Sequence, residues 1–209
     1  MPVTLERRDV EAAREPTAWD LGNEVLYRLC REHPQHTDSE VVLAKILLIG
    51  RVYAAAIERR RTRSSANDDF YLCSVGPQIR KSGIDGWIAE AERPWATPEQ
   101  AMAAMLTAHA RTTALFKRIS GLEKRSLASK YLHFHVPSVF FIYDARAVSG
   151  MRRVTALIGK SSRPAHPGDR EYGKFVQKCW RLRHHCEDAF SIRLTPRELD
   201  NLLLALAKK

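Results

Sequence analysis

Apolar side chains recur at three- and four-residue steps along most of this chain, a period that predicts helices rather than strands. Over residues 19–31, Leu21, Val25 and Leu29 stand four places apart, and Pro34 ends the segment because its ring cannot continue a helix. Asp38 or Ser39 is placed to cap a longer helix reaching about Arg61. Its apolar content on most sides predicts the buried central helix of the fold, with Arg51, Tyr53 and Glu58 as polar exceptions. Residues 63–69 are polar and turn-rich, and 75–87, with glycines and Pro77, predict a loop holding short helical or extended pieces. An alanine-rich helix follows over 98–115 with Thr97 as its N-cap.

Beyond Gly121 a further helix is expected over 124–136. Leu127, Tyr131 and Phe134 share one side of it, and Ser126, Ser129, Lys130 and His133 another. The first stripe reads as core. His133 and His135 suit hydrogen-bonded histidines without a chemical role first and pocket residues second. A helix over 146–158, a long connector over 159–173, and helices over 175–190 and 195–206 complete the order, the last opening on Thr195, Pro196 and Glu198. The pattern predicts one all-α domain spanning 1–209, without repeats or low-complexity tracts.

Composition adds a partner class. With 209 residues and 44% hydrophobic content the chain can build one good core. Its formal net charge of +10 favours a polyanion, because cations that neutralise phosphates release condensed counterions. Double-stranded DNA is the first expectation, with no obligate protein partner. The cluster Arg59, Arg60, Arg61 and Arg63 suits a solvated helix end, whereas Lys117, Arg118, Lys124 and Arg125 flank the Gly121 turn, where helix-start N–H groups can meet a phosphate. The longest apolar stretch, 41–57, is interrupted by Lys45 and Arg51, so no membrane span is expected; with no signal-peptide pattern, a cytoplasmic location is. The four scattered cysteines fit reduced thiols.

The run Phe140, Phe141, Ile142, Tyr143 ends on a lone acid, Asp144. Burial among such neighbours raises a carboxyl pKa unless something polar or positive faces it. Asp is also a preferred N-cap, and residues 145–148 fit a first helical turn.

Ile119, Ser120, Gly121 and Leu122, then a helix, then Asp144 behind its apolar run, together resemble the helix-hairpin-helix superfamily of DNA glycosylases. That superfamily carries a hairpin reading roughly Leu-Pro-Gly-Val-Gly, a helix, and an aspartate. The resemblance covers residues 112–148, with the hairpin at about 112–136 and the aspartate loop at about 137–148, and is faint over 38–57. Ser120 replaces the usual proline and Glu123 the second glycine. The resemblance implies two helical lobes around a cleft, DNA contacts from Ser120, Gly121, Leu122, Lys124, Arg125, Ser126 and Lys130, and a catalytic Asp144.

Bifunctional members keep a lysine nucleophile where this chain has Arg125, 19 places before Asp144. A guanidinium cannot lose its proton and form an imine. The resemblance therefore implies a monofunctional enzyme, in which Asp144 stabilises positive charge on the sugar and orients water as the base departs. Lys124, one place off that register, and Lys130 keep a lyase alternative open. Lys130 lies about 140° round the helix from Arg125 and is expected to face solvent or phosphate. The base must leave the stack for a pocket, for which Arg51, Tyr53, Tyr131, His133, His135 and Tyr143 are candidates.

Some members hold an iron–sulfur cluster on four C-terminal cysteines beginning Cys, six residues, Cys. Cys179 and Cys186 have that spacing, but Ala189 and Thr195 stand where the next two belong, so no cluster is expected. His184, His185, Cys186, Glu187 and Asp188 are consecutive on a helix and point in different directions, so neither a metal nor another cofactor is expected. The early helix and the hairpin helix lack the family's common recognition wording. This points to a specialised substrate, and the resemblance extends to prokaryotic antiviral glycosylases that remove bulky modified cytosines, such as glucosylated hydroxymethylcytosine, from phage DNA. The other class of reading is a helix-hairpin-helix protein that grips DNA without chemistry.

Overall fold

A computed structural model describes residues 4–59, 68–159 and 168–208, and every regular element among them is helical. In chain order they are α1 (Arg7–Ala12), α2 (Ala18–Glu32), α3 (Ser39–Val52), α4 (Asp68–Phe70), a π-helical turn (Tyr71–Val75), α5 (Gly76–Arg80), α6 (Ile84–Glu92), α7 (Pro98–Ser120), α8 (Arg125–His135), α9 (Ala145–Ile158), α10 (Arg170–Phe190) and α11 (Pro196–Leu206). No helix among the described residues is long and apolar enough to cross a membrane. The Arg60, Arg61 and Arg63 cluster, the polar stretch 63–67 and residues 160–167 of the expected connector lie outside the described residues.

Local chemistry sets most boundaries. Asp38 accepts from the Glu40 and Val41 N–H groups at the start of α3, Thr97 accepts from Gln100 N–H at α7, and Thr195 forms a capping box with Glu198 at α11. Helix α7 runs past the expected Leu115 to Ser120, where Gly121 takes a left-handed φ of 77°. That conformation is inexpensive only for glycine and turns the chain toward α8 within a few residues.

Three expectations are corrected. Helix α3 stops at Val52 rather than continuing toward Arg61: Ala54 adopts φ 49°, and the Ala54 and Ala55 N–H groups close on the Arg51 and Gly50 carbonyls at 3.1 and 2.7 Å. Nor is α3 the central helix, since Leu48 and Val52 are exposed on its outer side. That position belongs to α8, which packs on α2, α3 and α7 and whose residues from Leu127 to Phe134 are all buried. The stretch 75–87 holds helix α5 and the first turn of α6, and α10 begins at Arg170, before the expected residue 175.

The packing falls into two groups. Helices α10 and α11 both pack on α9, and α1 closes on α11. Helices α2 and α3 pack on α8, and α6 and α8 on α7. Cys179 and Cys186 are buried within α10 as small apolar fillers.

Candidate functional site

The site is built where α9 begins. Residues 137–143 return over α8, held by Tyr143 N–H donating to Ser129 Oγ at 3.0 Å. This delivers Asp144 to the N-cap of α9, where its Oδ1 accepts from Arg146 and Ala147 N–H at 3.0 and 2.9 Å. Its second oxygen lies 3.2 Å from Lys130 Nζ. Lys130 also donates to Ser126 Oγ at 3.0 Å and sits 5.4 Å from the centroid of the Tyr53 ring.

This arrangement corrects one reading and meets the condition set on another. Lys130 is 2% exposed, so it faces neither solvent nor a phosphate on the surface; the angular estimate placed it correctly on another face from Arg125, but that face is covered by the returning chain. Burial pushes the Asp144 carboxyl up, as expected for its neighbours, yet Lys130 and the Ala147 N–H outweigh burial and hold it below the usual carboxylate range. The Lys130 ammonium is pulled down by its own burial, against the opposing effect of Asp144.

The remaining hairpin side chains are tied within the protein. Ser120 is buried and its Oγ donates to Phe116 O at 2.7 Å while accepting from Leu122 N–H at 3.3 Å. Gly121 and Leu122 are exposed at the turn. Lys124 donates to Arg59 O at 2.6 Å. Arg125 pairs with Asp169 and lies 5.7 Å from the Tyr143 ring centroid. Glu123 holds Lys117 at 3.2 Å.

Among the base-pocket candidates, Tyr131, His133 and His135 belong to the interior. His133 Nδ1 donates to Phe140 O at 2.8 Å, which leaves Nε2 to accept from Tyr27 O–H at 2.7 Å. Burial lowers its pKa to about 4, so it is neutral. Tyr131 donates to His36 Nε2 at 2.8 Å, and His135 Nδ1 donates to Tyr131 O at 2.8 Å. Arg51 is exposed and pairs with Glu58 at 3.7 Å. Tyr143 is half-buried and donates to Glu171 at 3.3 Å. Tyr53 lines a cavity of about 460 Å³ where α1, the start of α2, the end of α3, the start of α9, and α11 meet.

Several residues at this place escape the sequence pattern. Trp19, Arg146, Arg197 and Asn201 line the same cavity. Arg197 holds Asp20 at 2.6 Å and Asp200 at 2.7 Å. Asp200 is 4% exposed, and its other oxygen has no hydrogen-bond partner among the described residues. The i,i+3 spacing of Arg197 and Asp200 was the available signal, but it describes an ordinary surface pair as well as a buried one.

Burial raises the Asp200 pKa from 3.8 to about 7, with Arg197 opposing and Asp144 reinforcing the shift. Its folded pKa lies above its unfolded value, so the native chain keeps a proton that the unfolded chain releases, and this residue's contribution to stability declines as pH rises through that interval. Asp200→Asn removes the penalty. Its melting temperature is expected to match the parent's near pH 4 and to exceed it increasingly toward pH 8. A difference that stays constant across a pH series of thermal unfolding curves would show that Asp200 does not hold a proton in the fold.

The chain matches no family model, no curated protein and no solved structure.

Proposed function

We propose that this protein is a cytoplasmic DNA glycosylase that extrudes a modified base and hydrolyses its N-glycosidic bond, leaving an abasic site. The observation that carries the reading is Asp144: an ionised, largely covered carboxylate fixed by two backbone N–H groups and a lysine, beside a cavity bordered by Tyr53 and Arg146. Breaking the bond develops positive charge on the sugar, and a preorganised carboxylate stabilises that charge and orients the attacking water. The short turn at Gly121 between α7 and α8, and the grouping of the helices on either side of the cavity, are compatible with the hairpin and the two lobes that the resemblance implies. The formal charge of +10 supports DNA as the partner. Bulky modified cytosine of phage DNA remains the substrate class the resemblance suggests.

The 3.2 Å contact of Lys130 with Asp144 favours a second reading, in which Lys130 attacks the sugar and forms an imine. A buried lysine with a lowered pKa is suited to that chemistry. Arg125, at the family's usual lysine position, is engaged by Asp169. The test incubates the protein and Asp144→Asn with damaged, uracil-containing and hypermodified DNA without added metal, and scores alkali-labile sites. Sites made by the parent and reduced at least about a hundredfold in the variant support the hydrolase. Capture of a covalent adduct by borohydride moves the assignment to a lyase. Binding without sites on any substrate leaves a DNA-gripping protein.

A further inference from the structure

Trp19, in the first turn of α2, is 64% exposed, an unusual state for an indole unless it has a use. It does not stand alone. Trp19, Val25, Leu48 and Val52 line one continuous apolar depression across α2 and α3, and Trp19 and Val52 also border the 460 Å³ cavity. Across that cavity stands Arg146, exposed and without an ion pair among the described residues. Tyr53 lines the same cavity, its hydroxyl buried beside Asn23.

These features select a ligand chemistry. An exposed aromatic face takes a planar ring, and a free guanidinium takes a phosphate joined to that ring. The volume falls within the range, about 300–1,000 Å³, of sites that enclose a small planar ligand. Arg197 is held by Asp20 and Asp200, so the cavity's available positive charge sits at Arg146, next to the Asp144 cap, and at Lys208 on the rim.

We propose that Trp19 stacks on the extrahelical nucleobase of bound DNA while Arg146 engages that nucleotide's phosphate. This rests on the glycosylase reading for the DNA but not for its chemistry. Trp19 is a positioning residue that lines the cavity and acts by holding the extruded ring.

The test needs no identified substrate. Short duplexes with one unpaired nucleotide, fully paired duplexes and the free mononucleotide are titrated into the parent, Trp19→Phe and Trp19→Leu proteins. The readouts are binding and tryptophan emission. Since Trp87, Trp95 and Trp180 also emit, the Trp19 signal is the parent emission minus that of Trp19→Phe. The expected result is quenching of the Trp19 signal by the unpaired duplex alone. Trp19→Leu should lose on the order of tenfold of the preference for that duplex, and Trp19→Phe should retain most of it. Arg146→Gln should weaken the unpaired duplex and flatten its salt dependence by about one phosphate contact. Equal quenching by paired duplex, quenching by mononucleotide alone, or a Leu variant equal to the parent overturns the proposal. Selective quenching without base release on any substrate would uphold the stacking site while removing the glycosylase reading. Base release unchanged in Trp19→Leu would do the reverse.

Discussion

Lys130→Met is expected to lower the unfolding free energy by about 3–5 kcal/mol. The methionine fills the volume, so packing is nearly conserved, but Asp144 then faces a thioether where it had an ammonium at 3.2 Å. Lys130 is 2% exposed and the Asp144 side chain 17%, so water restores little of the lost interaction. The Arg146 and Ala147 N–H groups still hold one carboxylate oxygen, which keeps the expected loss toward the lower end. Removing both charges separates pairing from packing. The double variant Lys130→Met with Asp144→Asn should recover most of the stability, because a buried pair replaced as a pair is often neutral while a broken one is not. Urea unfolding of the four proteins at neutral pH measures the coupling. A Lys130→Met protein as stable as its parent would mean that the pair contributes nothing to folding.

Gly150→Ala is expected to destabilise by at least about 3 kcal/mol, against the direction of helix propensity. Mid-helix alanine is favoured over glycine by roughly 1 kcal/mol. Here a Cβ would stand 2.0 Å from the Leu203 carbonyl oxygen and 2.7 Å from its carbon. The obstacle is backbone of α11, not a flexible side chain, so relief requires α9 and α11 to separate. Those two helices form the closest-knit pair in the fold and hold Asp144 and Arg146 against Arg197 and Asp200. For a chain of this length the melting temperature should fall by about 6–12 °C. A melting temperature at or above the parent's would show that the helices can part at little cost.

Features fixed within a few residues were readable from sequence. The caps at Asp38, Thr97, Asp144 and Thr195 and the turn at Gly121 depend on side chains adjacent to the backbone groups they satisfy, and the order of helices follows from the apolar period. Lys130 was not readable. Hydrophobic periodicity marks Ser126, Ser129, Lys130 and His133 as a polar face and hence as a surface. In the fold each has an internal partner, Lys130 for Ser126, Tyr143 for Ser129, Asp144 for Lys130, and Phe140 and Tyr27 for His133. Pairing makes polar residues compatible with a buried helix, and periodicity carries no record of pairing. The same limit hid the cavity, whose walls are far apart along the chain. The end of α3 was missed because residues 54–57 continue its apolar run while the backbone at Ala54 turns away.

Helix α1 is six residues long, too short to persist alone, and it is held by contacts reaching far along the chain: Arg7 donates to Phe190 O at 3.0 Å, and Asn201 to Ala13 O at 3.4 Å. During synthesis it therefore leaves the ribosome without a partner and waits until α11 has emerged. The cavity, walled by both, has no earlier existence in the folding chain. The same dependence makes α1 an early point of local opening in the finished molecule. Detachment of that one helix would remove a wall from a partly open pocket and leave a trench, exchanging selectivity for access without disturbing α8 or the charges gathered around it.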